Sequence, residues 1–279
     1  MSKLDIEVLK KLADKFTDYV HTRDNNSLPL NFIDGSGVLV SEEGYKEEIF
    51  DKAQDILKCY EWDESWIGTG NIKDRIFQVM DISSNLVNFN TQIDFKKHFV
   101  RNDNKLDPDT ERIIYEIFKR NDDKHAFEHA VKEFGAKYPV LAYLFFTKDM
   151  TKYMPTSPKN FDRCFRQLNI DFKMSYNCSW ENYSEFISII NEIKEALPNY
   201  LETSHELRLI DAHSFVWIIG EEHFIDWKES SVSADINTPL KPKRKIRKAD
   251  GTVSYQCPRC NESFKKSSRC PECGQMIKE

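Results

Sequence analysis

The stretch Leu4-Asp-Ile-Glu-Val-Leu-Lys-Lys-Leu-Ala-Asp-Lys-Phe-Thr-Asp-Tyr-Val20 carries the pattern that predicts the fold of most of this chain. Its apolar residues recur three and four positions apart, and Lys, Asp and Glu occupy the positions between them. This spacing places the apolar side chains on one face of an α-helix, where they can pack against a core. The chain is 279 residues long, which is enough for one sizeable domain and one small one.

Several later segments repeat this helical pattern. Ser41-Glu-Glu opens a second amphipathic run that continues through Ile49 and Leu57, and Asp107-Pro108 begins a further helix. Helices are also predicted over residues 71–80, 125–134, 158–168, 180–197 and 209–220. Residues 138–146 are too apolar for a surface helix, so they predict either a buried strand or a buried short helix. The fold class expected for residues 1–228 is therefore a mainly α, or α+β, globular body.

Two Cys-x-x-Cys pairs lie near the C-terminal end of the sequence, Cys257-Pro-Arg-Cys260 and Cys270-Pro-Glu-Cys273. They contain four of the seven cysteines. Each pair can present two thiolates to one side of a tetrahedral ion, which predicts a structural Zn²⁺ site in a β zinc ribbon over residues 253–279. Four thiolates leave no open coordination position, so the zinc would be structural. Two disulfides fit less well because no signal peptide is present. A redox Cys-x-x-Cys would need a βαβ context that is absent.

Charge is distributed unevenly along the chain. Residues 239–279 carry a net charge of +7, and the other 238 residues carry −13, so an acidic body is joined to a basic tail. Residues 229–252 form a predicted linker that is first polar and then basic. The residues predicted to contact nucleic acid are Lys241, Lys243, Arg244, Lys245, Arg247, Lys248, Lys265 and Lys266. Two alternatives to nucleic-acid contact remain. The basic run could be a solvated linker, and the ribbon could dock onto a partner protein.

No apolar run approaches the roughly 18–20 residues of a membrane span, and the N-terminus lacks the apolar core of a signal peptide. The expectation is a soluble, cytoplasmic protein with no membrane contact.

The remaining candidates for chemistry are weaker. His125 and His129 have the spacing of a two-histidine metal pair, but the His-Glu-x-x-His pattern is not met and a surface or half-buried pair is the simpler interpretation. A Mg²⁺-dependent nuclease would need carboxylates near an Asp-x-Lys triplet. Three such triplets have an aromatic residue at the centre, Asp94-Phe-Lys96, Asp171-Phe-Lys173 and Asp226-Trp-Lys228, and their multiplicity weakens each of them. The best of them has Asp211 and His213 upstream of Asp226 and Lys228, and these four residues are the weak catalytic candidates.

Within residues 143–219 lie four longer motifs: Phe145-Phe-Thr-Lys-Asp-Met-Thr-Lys-Tyr-Met-Pro-Thr-Ser-Pro158, Asn160-Phe-Asp-Arg-Cys-Phe165, Cys178-Ser-Trp-Glu-Asn-Tyr183 and Leu209-Ile-Asp-Ala-His-Ser-Phe-Val-Trp217. This series resembles one in bacterial proteins associated with restriction and phage defence, where it stands beside HNH nucleases or other restriction modules. The chain differs from the nuclease-bearing members because it has a ribbon and no His-Asn-His core. The resemblance implies a bacterial DNA-targeting or defence setting and no particular mechanism.

The aromatic and polar residues of these motifs define a predicted recognition pocket formed by Tyr153, Trp180, Tyr183, His213 and Trp217. An unpaired base would suit such a pocket, and the alternative is that the same residues build a core and a helix cap. The function expected from the sequence is a non-catalytic, DNA-associated recognition or coupling protein of a restriction or phage-defence system. The alternatives are a Mg²⁺-dependent DNA endonuclease and a zinc-ribbon adaptor that binds a partner protein.

Overall fold

A computed structural model describes residues 4–24, 29–33, 37–101, 103–227, 242, 244–247, 253–257, 263–265, 267–270 and 276–277. The helices are α1 (Ile6–Asp24), α2 (Val38–Glu43), α3 (Tyr45–Leu57), α4 (Asn71–Asp81), α5 (Phe89–Lys96), α6 (Pro108–Lys119), α7 (Asp123–Phe134), α8 (Tyr138–Lys148), α9 (Pro158–Gln167), α10 (Trp180–Ala196), α11 (Leu209–Gly220) and α12 (Glu222–Ile225). The strands are β1 (Arg244–Arg247), β2 (Val253–Gln256) and β3 (Ser263–Lys265). The predicted fold class, a mainly α body with a small C-terminal β element, is confirmed.

Helix α1 buries the face that its sequence predicts. Leu9, Ala13, Phe16 and Val20 are buried in the core of the body, at successive turns of the helix. Removing each large apolar side chain from water contributes about 1.5–3 kcal/mol to folding. The first predicted helix is therefore confirmed, and it anchors the N-terminal part of the chain to the core.

The second predicted helix differs from the expectation at its start. It begins at Val38, three residues before Ser41, and Gly44 divides it into α2 and α3. The backbone N–H of Val38 donates to the carboxylate of Asp24, at 2.8 and 2.9 Å from its two oxygens. Asp24 lies at the end of α1, fourteen residues before Val38 in the sequence. A prediction of the helix start from neighbouring residues therefore does not detect this cap.

Two predicted helix starts have the expected caps. The Asp107 carboxylate accepts the N–H of Asp109 at the start of α6, and Pro108 occupies the first turn. The hydroxyl of Ser179 accepts the N–H of Asn182 at 3.2 Å, at the start of α10. Both caps satisfy N–H groups that have no partner inside their own helix.

The apolar segment 138–146 is a helix, which decides between the two predicted alternatives. Helix α8 is buried around its circumference, from Tyr138 through Thr147. A helix can occupy such a dry position because its backbone N–H and C=O groups bond to one another within the segment.

Helix α5 has no counterpart among the predicted elements. Its apolar residues do not mark one buried face, because Phe89 is 72% exposed and Ile93 is also exposed, whereas Phe95 is buried. The one local signal is the capping residue Asn88, whose side chain accepts the N–H of Thr91.

Helices α9 and α11 pack closely, and this contact positions the site described below. A Cβ atom placed on Gly220 would overlap the Cys164 sulfur, so only glycine permits this approach. The Cys164 thiol lies 3.9 Å from the backbone carbonyl oxygen of Trp217, on the same pair of helices.

The C-terminal strands form one antiparallel sheet in the order β1-β2-β3. Strand β1 comes from the basic segment predicted as linker, so four residues of that segment belong to the sheet. The composition of the basic segment does not predict this strand. It forms because the segment pairs with β2, which lies further along the chain. Among the residues that the structure describes, no helix has the length and apolar character of a membrane span.

Candidate functional site

A cavity of about 200 Å³ lies in the helical body, where segments from three of the four motifs meet. The connector between α8 and α9 contributes Pro155, Thr156 and Ser157, and α9 contributes Phe161. Helix α11 contributes His213 and Trp217, whose four-residue spacing places both on one face, as the sequence predicts.

The other side of the cavity comes from residues that no sequence motif selected. Glu43 ends α2, and Tyr45 and Lys46 begin α3. Asn85 and Leu86, from the turn between α4 and α5, complete the wall. The cavity is therefore assembled from segments that lie far apart in the chain.

A buried ion pair stands at this wall. Lys46 is 2% exposed and its ammonium group bonds to the carboxylate of Glu43, which is 7% exposed. The same Nζ atom lies 3.3 Å from Nδ1 of His213. Desolvating an ammonium or a carboxylate costs several kcal/mol per ion, so the two charges offset each other's penalty. Lysine has three N–H donors, and these two partners use two of them.

His213 is buried and held in one tautomer. Its Nε2 lies 2.9 Å from the backbone oxygen of Pro155 and must donate to it, so Nδ1 accepts from Lys46. Burial, and then the charge of Lys46, lower the pKa of His213 well below its ordinary value. The ring is therefore neutral at physiological pH, and it fixes the ammonium group at the cavity wall.

The cavity combines aromatic walls with hydrogen-bonding groups. The ring centroids of Phe161 and Trp217 lie 5.7 Å apart, and Tyr45 also lines the cavity. Burial, and then the nearby Glu43 carboxylate, raise the pKa of Tyr45, so its hydroxyl remains a donor. The volume is below the roughly 300–1,000 Å³ of pockets for drug-sized ligands.

The five residues of the predicted recognition pocket fall into two groups. His213 and Trp217 line the cavity. Tyr153, Trp180 and Tyr183 belong instead to an aromatic cluster with Phe127 and Phe145, where they make stacked and edge-on contacts. Tyr183 is buried completely, and its hydroxyl donates to the backbone oxygen of Met154 at 2.8 Å. Its ring is thus part of the core of the body.

Lys46 and Glu43 are the residues that the sequence analysis missed. One signal was present: Lys46 occupies the position that continues the buried stripe of Ile49, Ala53 and Leu57 along α3. A lysine on the apolar face of an amphipathic helix must find a partner for its charge, which marks it for attention.

The structure separates the four weak catalytic candidates. Asp211 caps α11, and its carboxylate accepts from the backbone N–H, Nε and NH2 of Arg208 at 2.8, 3.1 and 2.8 Å. The Nε2 atom of His205 lies 3.2 Å from the same carboxylate. His213 lies at the cavity, Asp226 is exposed at the end of α12, and Lys228 lies outside the described residues.

At the C-terminus the structure describes two of the four predicted zinc ligands. Cys257 and Cys270 are both buried, and they share a small cluster with Phe264. Cys260 and Cys273 lie outside the described residues, as do Lys241, Lys243, Lys248 and Lys266. Lys265 is exposed on β3, and Arg244, Lys245 and Arg247 belong to β1.

No protein-family model, curated protein or solved structure matches the chain. The functions of the cavity and of the C-terminal sheet are therefore inferred from their own residues.

Proposed function

We propose that this protein is a non-catalytic, DNA-associated recognition or coupling protein of a bacterial restriction or phage-defence system. The observation that carries the proposal is that part of the basic run forms β1, the edge strand of an antiparallel sheet. A strand holds its residues at about 3.3 Å intervals, so Arg244, Lys245 and Arg247 have a fixed backbone spacing.

Cations in such an arrangement favour phosphate binding. Lys and Arg gain affinity for a nucleic-acid backbone by releasing its counterions, without any sequence preference. Tyr255, which is registered opposite Lys245 on β2, offers an aromatic ring of the kind on which bases stack. The acidic body would repel the phosphates, so the C-terminal sheet is the part of the chain suited to contact them.

Zinc would supply the stability of this sheet. The four thiolates of Cys257, Cys260, Cys270 and Cys273 would hold the ion, and the two that are described are buried in one cluster, as ligands of a closed site should be. The body cavity would then act as the recognition module, because its aromatic walls and polar edge suit one unpaired base.

The proposal is tested with a salt-titrated binding assay on full-length, zinc-loaded protein with duplex and single-stranded DNA. One variant replaces five cations of the basic run with Gln: Lys243, Arg244, Lys245, Arg247 and Lys248. A matched control removes the same charge from exposed lysines of the body: Lys10, Lys11, Lys52, Lys105 and Lys159.

The tail variant should bind DNA more weakly, and the magnitude of the slope of log affinity against log salt should fall by up to about 4.5 for duplex DNA. The control variant should keep the slope of the wild type. An unchanged slope in the tail variant contradicts the proposed phosphate contact. Cleavage of the DNA when Mg²⁺ is added would instead support an endonuclease, and no interaction with either DNA would support a protein adaptor.

A further inference from the structure

Three potential metal ligands meet at the surface between α6 and α7. They are Glu116 of α6 and His125 and His129 of α7, and one ligand atom from each lies within 4.8 Å of the other two. The two histidines are one helical turn apart, so they share a face, and α6 brings the carboxylate to that face. This cluster is separate from the body cavity and from the C-terminal cysteines.

The carboxylate of Glu116 is buried and already oriented. Its Oε1 accepts from Arg120 at 3.0 Å, and its Oε2 lies 2.9 Å from Nδ1 of His129. One oxygen is thus fixed by an outer partner, and the other is directed toward the imidazole. Outer partners of this kind hold metal-binding carboxylates in position in known metal sites.

The distance between the ligand atoms of Glu116 and His129 suits a first-row transition metal. Ligand atoms at about 2.0–2.1 Å from such an ion lie roughly 2.9–3.4 Å from one another at octahedral to tetrahedral angles. The Glu116–His129 pair already has this separation. His125 is exposed, so its ring can rotate to complete the set without disturbing the core.

The surroundings also favour a cation with an open coordination position. Asp122 and Glu128 line the same depression together with Lys124 and Lys132, and Glu181 pairs with Lys124 at 2.6 Å, so the carboxylates there outnumber the ammonium groups by one. Because the depression opens to solvent, an ion held there would keep positions for water or a further ligand.

We infer that Glu116, His125 and His129 form a second metal site, a two-histidine, one-carboxylate site for a divalent transition-metal ion such as Zn²⁺ or Ni²⁺. It differs from the four-cysteine site in ligand chemistry and in having open positions. The site does not depend on the proposed DNA function, so either can fail without the other.

The experiment is a calorimetric titration of full-length protein with Ni²⁺, after the four-cysteine site has been saturated with Zn²⁺. The variants are His125→Ala, His129→Ala and Glu116→Gln, and the matched control is His223→Ala, an exposed histidine of α12. In parallel, the imidazole signals of the histidines are followed by NMR as paramagnetic Ni²⁺ is added.

Wild type and His223→Ala should bind one Ni²⁺ with equal affinity, and the signals of His125 and His129 should broaden first. Each histidine variant should lose more than about tenfold in affinity, since loss of outer partners alone costs 10–100-fold in metal sites. His125 is exposed, so His125→Ala should fold normally and isolate the effect of the ligand. Equal affinity in wild type and His125→Ala, or no Ni²⁺ binding by wild type, overturns the inference.

Discussion

The helical body and the C-terminal sheet differ in what holds them together. The body has a continuous core that runs from α1 to α12 and includes large buried rings such as Phe16, Phe127 and Phe145. The described part of the sheet buries Cys257, Phe264 and Cys270, with Tyr255 and Ile277 packed against them. The described core of the sheet is small, so we expect the sheet to depend on a cross-link, whereas the core of the body is large enough to fold without one.

Removal of the proposed zinc ion should have the largest effect and should separate the two regions. Structural Zn²⁺ contributes about 10–16 kcal/mol to the folding of small zinc modules. A chelator, or Cys257→Ser, should therefore collapse the dispersed amide NMR signals of β1–β3 and leave those of α1–α12 in place. The control Cys178→Ser alters a half-buried thiol of the body and should leave the sheet signals intact. A sheet that survives chelation would show that its apolar cluster suffices.

Truncation of a central ring should affect the body alone. Phe127 is fully buried and stacks on Tyr183 with ring centroids 5.3 Å apart. Phe127→Ala should lower the free energy of unfolding of the body by about 3–5 kcal/mol, from lost burial and the remaining cavity. Denaturant titration measures this, with Phe89→Ala as the control because that ring is 72% exposed. Loss of the sheet signals in Phe127→Ala at a temperature where the body stays folded would contradict the independence of the two regions.

The smallest expected effect is a pH dependence of the body's stability that comes from His213. The pKa of His213 is lowered by burial and by Lys46, so the folded state stays unprotonated where the unfolded chain binds a proton. Stability should therefore fall as pH drops below about 6.5, by at most about 1.4 kcal/mol per pH unit.

Comparison with His213→Gln isolates this contribution. Unfolding free energies at pH 7 and pH 5 should show the wild type losing more stability than the variant, whereas His223→Gln should behave like the wild type. Unfolding is followed on the helix signals of the body, because the proposed thiolate ligands of the sheet give it a pH dependence of its own. Equal losses in wild type and His213→Gln would contradict the neutral, buried imidazole.

The body also shows where sequence prediction works and where it stops. The helices marked by apolar spacing and by local caps, such as Asp107 and Ser179, were predicted because those signals lie within a few residues of one another. The start of α2 was misplaced because its partner, Asp24, belongs to another helix. The cavity was half predicted: His213 and Trp217 follow from helical spacing, but Glu43 and Lys46 join them through tertiary packing.

The sequence by itself determined the helical class of the body, the division into an acidic body and a basic tail, and the four-cysteine pattern, because each depends on spacing or composition along the chain. Tertiary structure alone decided that residues 138–146 form a helix, that Tyr183 belongs to the core, and that Lys46 meets His213 across 167 positions. It also brought Glu116 to His129. These outcomes depend on which surfaces pack together and exclude water. The pattern of residues along the chain does not specify which surfaces those are.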